Sequence, residues 1–80
     1  MSVNPNPTES EWTINLNMEK PGSVDLVLYD AFGKKMAAET KSLQSGTNTF
    51  KLPATNLLPG LYVLELKGEA LNYREKLVKK

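Results

Sequence analysis

The 80-residue chain contains no cysteine and no histidine, and these two absences remove several classes of function. Without cysteine the fold has no disulfide bond and no thiolate nucleophile. Without either residue, the common zinc sites and the Ser–His–Asp triad are excluded. A chain of this length buries only about 60–65% of the surface that its unfolded form exposes. Its stability must therefore come from one small apolar core.

The chain also has no large excess of charge of one sign and no long apolar run. Ten Lys and Arg residues oppose nine Asp and Glu residues, for a net charge of +1. This charge is too small to attract nucleic acid, so we expect no nucleic-acid partner. No apolar run approaches the roughly 20 residues of a membrane span, so we expect no direct membrane insertion. Residues 1–11 have neither the basic nor the apolar region of a signal peptide, which predicts that none is present.

Several short segments alternate between apolar and polar residues, which is typical of half-buried β-strands. In residues 11–18 the apolar positions are Trp12, Ile14, Leu16 and Met18. Residues 23–30 are apolar on both faces, which indicates a central strand. The strand in residues 61–67 is predicted to place Tyr62, Leu64 and Leu66 on one face.

Other segments give weaker patterns. Residues 34–42 also have helical propensity, but the flanking turns favour a strand with Met36 and Ala38 facing inward. The sequence Asp30-Ala-Phe-Gly33 predicts a type I turn in which Gly33 takes a positive φ. In the loop of residues 53–60 either Leu57 or Leu58 is expected to enter the core. In the last segment, Tyr73 and Leu77 are expected to point inward.

Six or seven short strands separated by turns every 8–12 residues predict an all-β fold, a small antiparallel Ig-like β-sandwich. We expect a single domain over residues 1–80, in which residues 1–10 form an Asn/Pro-rich N-terminal segment and a short edge strand. The predicted core residues are Trp12, Leu26, Phe50, Tyr62 and Leu64.

The acidic and aromatic residues do not form a convincing catalytic or ligand site. Glu11, Asp25, Asp30 and Glu65 lie at outward strand positions or in turns, where a solvated carboxylate is the usual state. The sequence therefore predicts no enzymatic activity, no metal site and no cofactor. Stacking of a sugar on exposed aromatic rings is an alternative, but only Tyr29 and Phe32 are out of phase with the core.

The sequence ends in Lys76-Leu-Val-Lys-Lys80, an apolar pair between basic residues. Basic residues beside a last strand can protect its edge from pairing with other chains. The same residues could also form a recognition site. The pattern alone leaves both interpretations open.

Six short motifs occur in one order along the chain, at residues 4–8, 14–17, 22–35, 43–52, 56–66 and 76–80. They read NPNPT, INLN, GSVDLVLYDAFGKK, LQSGTNTFKL, NLLPGLYVLEL and KLVKK. Together they resemble the C-terminal sorting domain of the type IX, or Por, secretion system of Bacteroidetes, over residues 3–80. One position departs from the family pattern, since Asn4 stands where an aromatic residue usually precedes the first proline.

The resemblance implies a non-enzymatic secretion and sorting signal at the end of a larger secreted protein, of which this chain would be a piece. The outer-membrane translocon would read the domain after the parent protein reaches the periplasm. A surface sortase would then remove the domain and attach the cargo to the cell surface, or the cargo would be released. An adhesion or carbohydrate-binding module of a surface protein is the alternative interpretation.

The resemblance also implies which residues meet the translocon. The predicted recognition residues are Lys76, Leu77, Val78, Lys79 and Lys80, with the apolar pair as a grip and the lysines facing an acidic partner. Motif positions ranked lower are Pro5, Pro7, Gly33, Gly46, Gly60 and Tyr62. The last strand is also expected to offer unpaired backbone groups for strand addition, and exposed edges could pair two copies into a homodimer.

Overall fold

The computed structural model describes residues 1–69 and 71–80, and within them the chain forms seven β-strands and no helix. The strands are β1 (Ser2–Asn4), β2 (Glu11–Met18), β3 (Gly22–Asp30), β4 (Lys35–Leu43), β5 (Gly46–Pro53), β6 (Gly60–Gly68) and β7 (Asn72–Lys79). They form two antiparallel sheets with strand orders β1-β2-β5 and β4-β3-β6-β7. The predicted all-β antiparallel sandwich is confirmed. No helix in the described residues is long and apolar enough to cross a bilayer.

The core lies between the two sheets, where every second residue of β2, β3 and β6 is buried. Its largest fully buried side chains are Trp12, Ile14, Leu16, Val24, Leu26, Leu28, Leu64, Leu66 and Leu77. Trp12 of one sheet meets Tyr62 of the other edge-to-face, with ring centroids 6.3 Å apart. Such pairs contribute about 0.5–1.5 kcal/mol beyond the burial of their area. The Tyr62 hydroxyl donates a hydrogen bond of 2.6 Å to the Leu58 carbonyl, so its polar end is satisfied.

The predicted core residues Trp12, Leu26, Tyr62 and Leu64 are confirmed, but Phe50 is only partly buried. It lies on β5, the edge strand of the narrower sheet, where it has fewer neighbours. The ammonium nitrogen of Lys41 lies 5.2 Å from the centroid of its ring. A cation over an aromatic face at this distance is attracted by the ring quadrupole. Phe50 therefore lies at the edge of the core, between the buried residues and the side chain of Lys41.

The segment after the Asp30 turn is a strand, as predicted, but its predicted inward face is wrong. Ala37 packs against the core, whereas Met36 and Ala38 are exposed. The register explains this shift: Leu28 pairs with Ala37 and Tyr29 pairs with Lys35, so Met36 is an extra residue in a β-bulge. Beyond the bulge the inward positions include Glu39 and Lys41, which form an ion pair of 3.2 Å. Inward charges of this kind discourage an edge strand from pairing with another chain.

The turn between β3 and β4 begins at Asp30 and has a positive φ at Gly33, as predicted. One carboxylate oxygen of Asp30 accepts hydrogen bonds from the backbone N–H groups of Phe32 and Lys34, each 2.9 Å long. Gly33 has a φ of 85°, which a residue with a side chain adopts only at a cost. The carboxylate and the glycine together explain why this hairpin closes here.

The two remaining expectations concern Leu57 or Leu58 and the last strand. Leu57 packs against the core, whereas Leu58 is exposed. Leu77 is fully buried, as expected, whereas Tyr73 lies on the core-facing side of β7 but is 38% exposed, so it is not part of the core. Tyr73 pairs with the buried Leu66 on the same face of the sheet. A three-stranded sheet cannot cover all of a four-stranded one, so this end of the edge strand β7 stays accessible.

Candidate functional site

The predicted recognition residues form the end of β7, and alternation places their side chains on opposite faces. Leu77 lies opposite Tyr62 and is 0% exposed. Val78 lies opposite Leu61, and these two side chains are 39% and 42% exposed. Leu77 therefore attaches the strand to the core, and of the apolar pair only Val78 offers surface to a partner.

The free edge of β7 is covered by the N-terminal segment, which sequence reasoning missed. Asn6 lies between two prolines, and its side-chain amide takes the place of a strand's peptide group. It donates to the Lys76 carbonyl at 3.0 Å and accepts from the Val78 N–H at 2.8 Å. The prolines have no N–H to offer, so the side chain of Asn6 makes the contact that a backbone would otherwise make.

Thr8 continues this contact with its backbone. Its N–H donates to the Val78 carbonyl at 2.9 Å, and its carbonyl accepts from the Lys80 N–H at 2.8 Å, which forms a short parallel bridge. The Thr8 side chain is buried, and its hydroxyl donates to the Glu11 carbonyl at 2.6 Å. This side chain thus holds the N-terminal segment where it meets β7.

We name these contacts of Asn6 and Thr8 with β7 the terminal clamp. Because the clamp occupies the carbonyls of Lys76 and Val78 and the N–H groups of Val78 and Lys80, the end of β7 is already paired. The expectation that residues 76–80 offer unpaired backbone groups for strand addition is wrong for these groups. The expected protection of the edge comes from the chain's own N-terminal segment. The homodimer through edge strands stays a prediction, and β4 and β5 are the long edge strands that the terminal clamp does not cover.

The terminal lysines differ in their surroundings. Lys76 and Lys80 are exposed, whereas Lys79 is partly buried and its ammonium nitrogen lies 3.0 Å from the Lys80 carbonyl, to which it donates. In the described residues, the basic side chains that form ion pairs are those of Lys41, Lys51, Lys67 and Arg74. Lys76 and Lys80 are not among them, so their charges are accessible to an acidic partner.

The motif positions that ranked lower have clear structural surroundings. Pro5 and Pro7 are exposed on either side of Asn6, and Tyr62 is buried beneath the site. The three turn glycines all have positive φ, at Gly33, Gly46 and Gly60. Whether any of these residues also contacts the export machinery stays a prediction.

The acidic residues considered for catalysis each have a partner. Glu11 and Glu65 form ion pairs with lysines. Asp25 accepts a hydrogen bond of 2.9 Å from the Thr40 hydroxyl, and Asp30 caps its turn. Within residues 1–69 and 71–80, no group of three or more acidic side chains could hold a metal ion.

The comparison with known families decides between the sorting-signal and the adhesion-module interpretations. The family described as the secretion system C-terminal sorting domain, the Por secretion tail, matches residues 2–80. The chain belongs to this family. As a type IX sorting domain it is a C-terminal signal for secretion, and it forms part of a cargo protein that the type IX machinery handles. The cargo is a secreted protein, exported through the outer membrane. The family consists of sorting signals, a class that is generally non-enzymatic.

The two residues that sequence reasoning missed in this sorting domain had only a weak signal. Asn6 stands between two prolines, and Thr8 follows the second one. Neither pattern says that the segment meets a strand about seventy residues later in the chain.

Proposed function

We propose that this sorting domain is a non-enzymatic export signal whose terminal segment, residues 76–80, is recognised by the type IX translocon as part of a folded surface. The observation that supports this most directly is the combination of exposed and fixed groups at the end of β7. Val78 and Lys76 present their side chains to solvent, while the terminal clamp and the buried Leu77 hold the strand in one position. A partner that binds a fixed segment loses less free energy to ordering it than one that binds a flexible tail.

The proposal extends to the steps that follow recognition. The parent protein would reach the periplasm, pass the outer-membrane translocon as cargo, and then be separated from this domain by a surface sortase that attaches it to the cell surface. The domain itself would contribute no catalytic group to these steps. Its role would be to bind the machinery and to keep the cargo in position.

Deletion of residues 77–80 is a poor test of the proposal. It would remove the fully buried Leu77, whose burial contributes about 1.5–3 kcal/mol. It would also remove most of the terminal clamp, so that lost export could simply reflect lost folding. Substitutions of exposed side chains separate the two effects.

The experiment is an export assay in a type IX-competent host, with a signal peptide and a reporter protein placed before the domain. The test variants are Lys76→Glu, Lys80→Glu and Val78→Thr, and Lys20→Glu in the β2–β3 turn is the matched control for a charge reversal on an exposed lysine. We expect the reporter to remain in the periplasm for the test variants and to be exported for the control. Circular dichroism and thermal unfolding of each variant check the fold. Normal export of all three test variants would refute a terminal recognition segment.

A further inference from the structure

The outer face of the four-stranded sheet carries a group of apolar and basic side chains, and several of them lie outside the terminal segment, residues 76–80. Its cross-strand rows follow from the register: Lys35 pairs with Tyr29, Tyr29 with Val63, and Val63 with Lys76. In the next row towards the chain end, Leu61 pairs with Val78. We name this set the outer patch; it consists of Tyr29, Leu61, Val63 and Val78, with Lys35 and Lys76 on either side.

The outer patch is accessible and lies at one end of the sheet. Leu61 and Val78 are exposed, and Tyr29 and Val63 are partly buried. Val63 and Lys76 line an open depression together with Arg74 and Glu75. Phe32, which is 97% exposed at the tip of the β3–β4 hairpin, lies at the same end, since β3 ends where β6 begins.

The charged groups on this face differ in whether they already have a partner. At the far end the acidic groups are engaged, since Asp25 accepts from Thr40 and Glu65 pairs with Lys67 and Arg74. At the patch end the carboxylate of Asp30 accepts two backbone hydrogen bonds within its turn. Among the residues that the structure describes, neither Lys35 nor Lys76 belongs to an ion pair. The patch is therefore an apolar centre between two available cations.

We propose that the outer patch is a docking surface for a protein of the type IX machinery whose complementary surface has an apolar centre and flanking carboxylates. This inference rests on the proposed function and makes it more specific. The recognised feature is a surface built from β3, β4, β6 and β7, in which residues 29, 35 and 61 take part with the terminal segment. A linear terminal peptide would not include those three residues.

The charge pattern favours an acidic protein over the other possible occupants. A second copy of this face would place lysines near lysines, and like charges across an interface are costly. An anionic membrane attracts segments with clusters of four to eight basic residues, whereas the patch itself has two lysines and the whole chain has a net charge of +1. An acidic protein surface with an apolar centre matches both the cations and the exposed apolar side chains.

The test uses the same reporter fusion and export assay, with variants that are distant from the terminal segment in sequence. Leu61→Thr removes apolar surface at an exposed strand position, and Leu58→Thr is its matched control in the neighbouring loop. Lys35→Glu reverses a flanking charge, and Lys20→Glu is its matched control. We expect each patch variant to lower the exported fraction about tenfold or more, since a loss of about 1.4 kcal/mol is a factor of ten in affinity. We expect both controls to be exported normally, with thermal midpoints close to the original for all four variants.

The outcomes separate this inference from the proposed function. Normal export of the Leu61 and Lys35 variants, together with failed export of the Lys76 and Val78 variants, would overturn the outer patch and leave the terminal segment supported. Normal export of all of them would overturn both.

Two further measurements test the other occupants. Sedimentation of the domain with vesicles of 30% phosphatidylglycerol, abolished by Lys35→Glu, would replace the protein partner with a lipid surface. A concentration-dependent dimer, abolished by Leu61→Thr, would replace it with a second copy.

Discussion

Replacing Asn6 by alanine tests the terminal clamp directly. The substitution removes the hydrogen bonds of 3.0 and 2.8 Å between the Asn6 amide and the Lys76 carbonyl and Val78 N–H. An intramolecular hydrogen bond contributes about 0.5–1.5 kcal/mol net. Both bonds are accessible to solvent, so water can replace the lost partner and each bond lies towards the lower end of that range. We expect a loss of about 1–2 kcal/mol in the free energy of unfolding.

A loss of this size is measurable in a small domain. A chain of this length has a stability of about 4–12 kcal/mol, and 1 kcal/mol shifts the thermal midpoint by about 4–8 °C in domains of 60–100 residues. Urea titration and thermal unfolding followed by circular dichroism give both numbers. Hydrogen exchange of the Val78 and Lys80 amides, measured by NMR, gives the local effect. We expect both amides to exchange faster in the variant, because the clamp covers them in the original chain.

The matched control is Asn17→Ala, which removes the same side chain from an exposed position of β2. It should change the free energy of unfolding by less than about 0.5 kcal/mol, as is usual for surface substitutions. The reasoning would be refuted if Asn6→Ala and Asn17→Ala had the same stability and left the exchange of the Val78 amide unchanged. That result would mean that the N-terminal segment does not hold the last strand in solution.

Three further substitutions test other parts of the structure. Leu64→Ala should cost about 2–5 kcal/mol, because Leu64 is fully buried, and an unchanged urea midpoint would contradict its place in the core. Thr8→Val keeps the shape but removes the hydroxyl that bonds the Glu11 backbone, so we expect a loss of about 1–3 kcal/mol in chemical denaturation. Gly33→Ala should cost about 1–2 kcal/mol through backbone strain alone, because a Cβ there would meet no atom within 4 Å. A Gly33→Ala thermal midpoint equal to the original would show that the turn adopts another conformation.

The strands and their inner faces could be predicted where the pattern is local. A period of two in β2 and β6 places Trp12 and Leu64 on a core-facing side whatever the rest of the chain does, and the structure buries both. The β3–β4 turn is equally local, since Asp30 and Gly33 determine it within a few residues. The order of the short motifs was sufficient to indicate the family that the comparison then identified.

Alternation determines which face a residue lies on, but it does not determine whether another element covers that face. Phe50 and Tyr73 are in phase with core residues, yet both remain partly accessible, because they lie on edge strands of two sheets that differ in width. The inward face of β4 was misplaced for a related reason. The bulge at Met36 follows from pairing with β3, and no pattern within β4 itself indicates it.

The proposed recognition segment, residues 76–80, shows the same division between local pattern and tertiary structure. The sequence by itself determined the composition of the terminal segment, basic residues around an apolar pair. Only the tertiary structure decided that Leu77 is buried, that Val78 is exposed, and that Asn6 closes the edge beside them. The physical reason is that these states depend on contacts between residues far apart in the chain, about seventy positions in the case of Asn6 and the last strand. Such contacts form because the folded sheets bring the N-terminal segment alongside the last strand, and a local pattern contains no information about that placement.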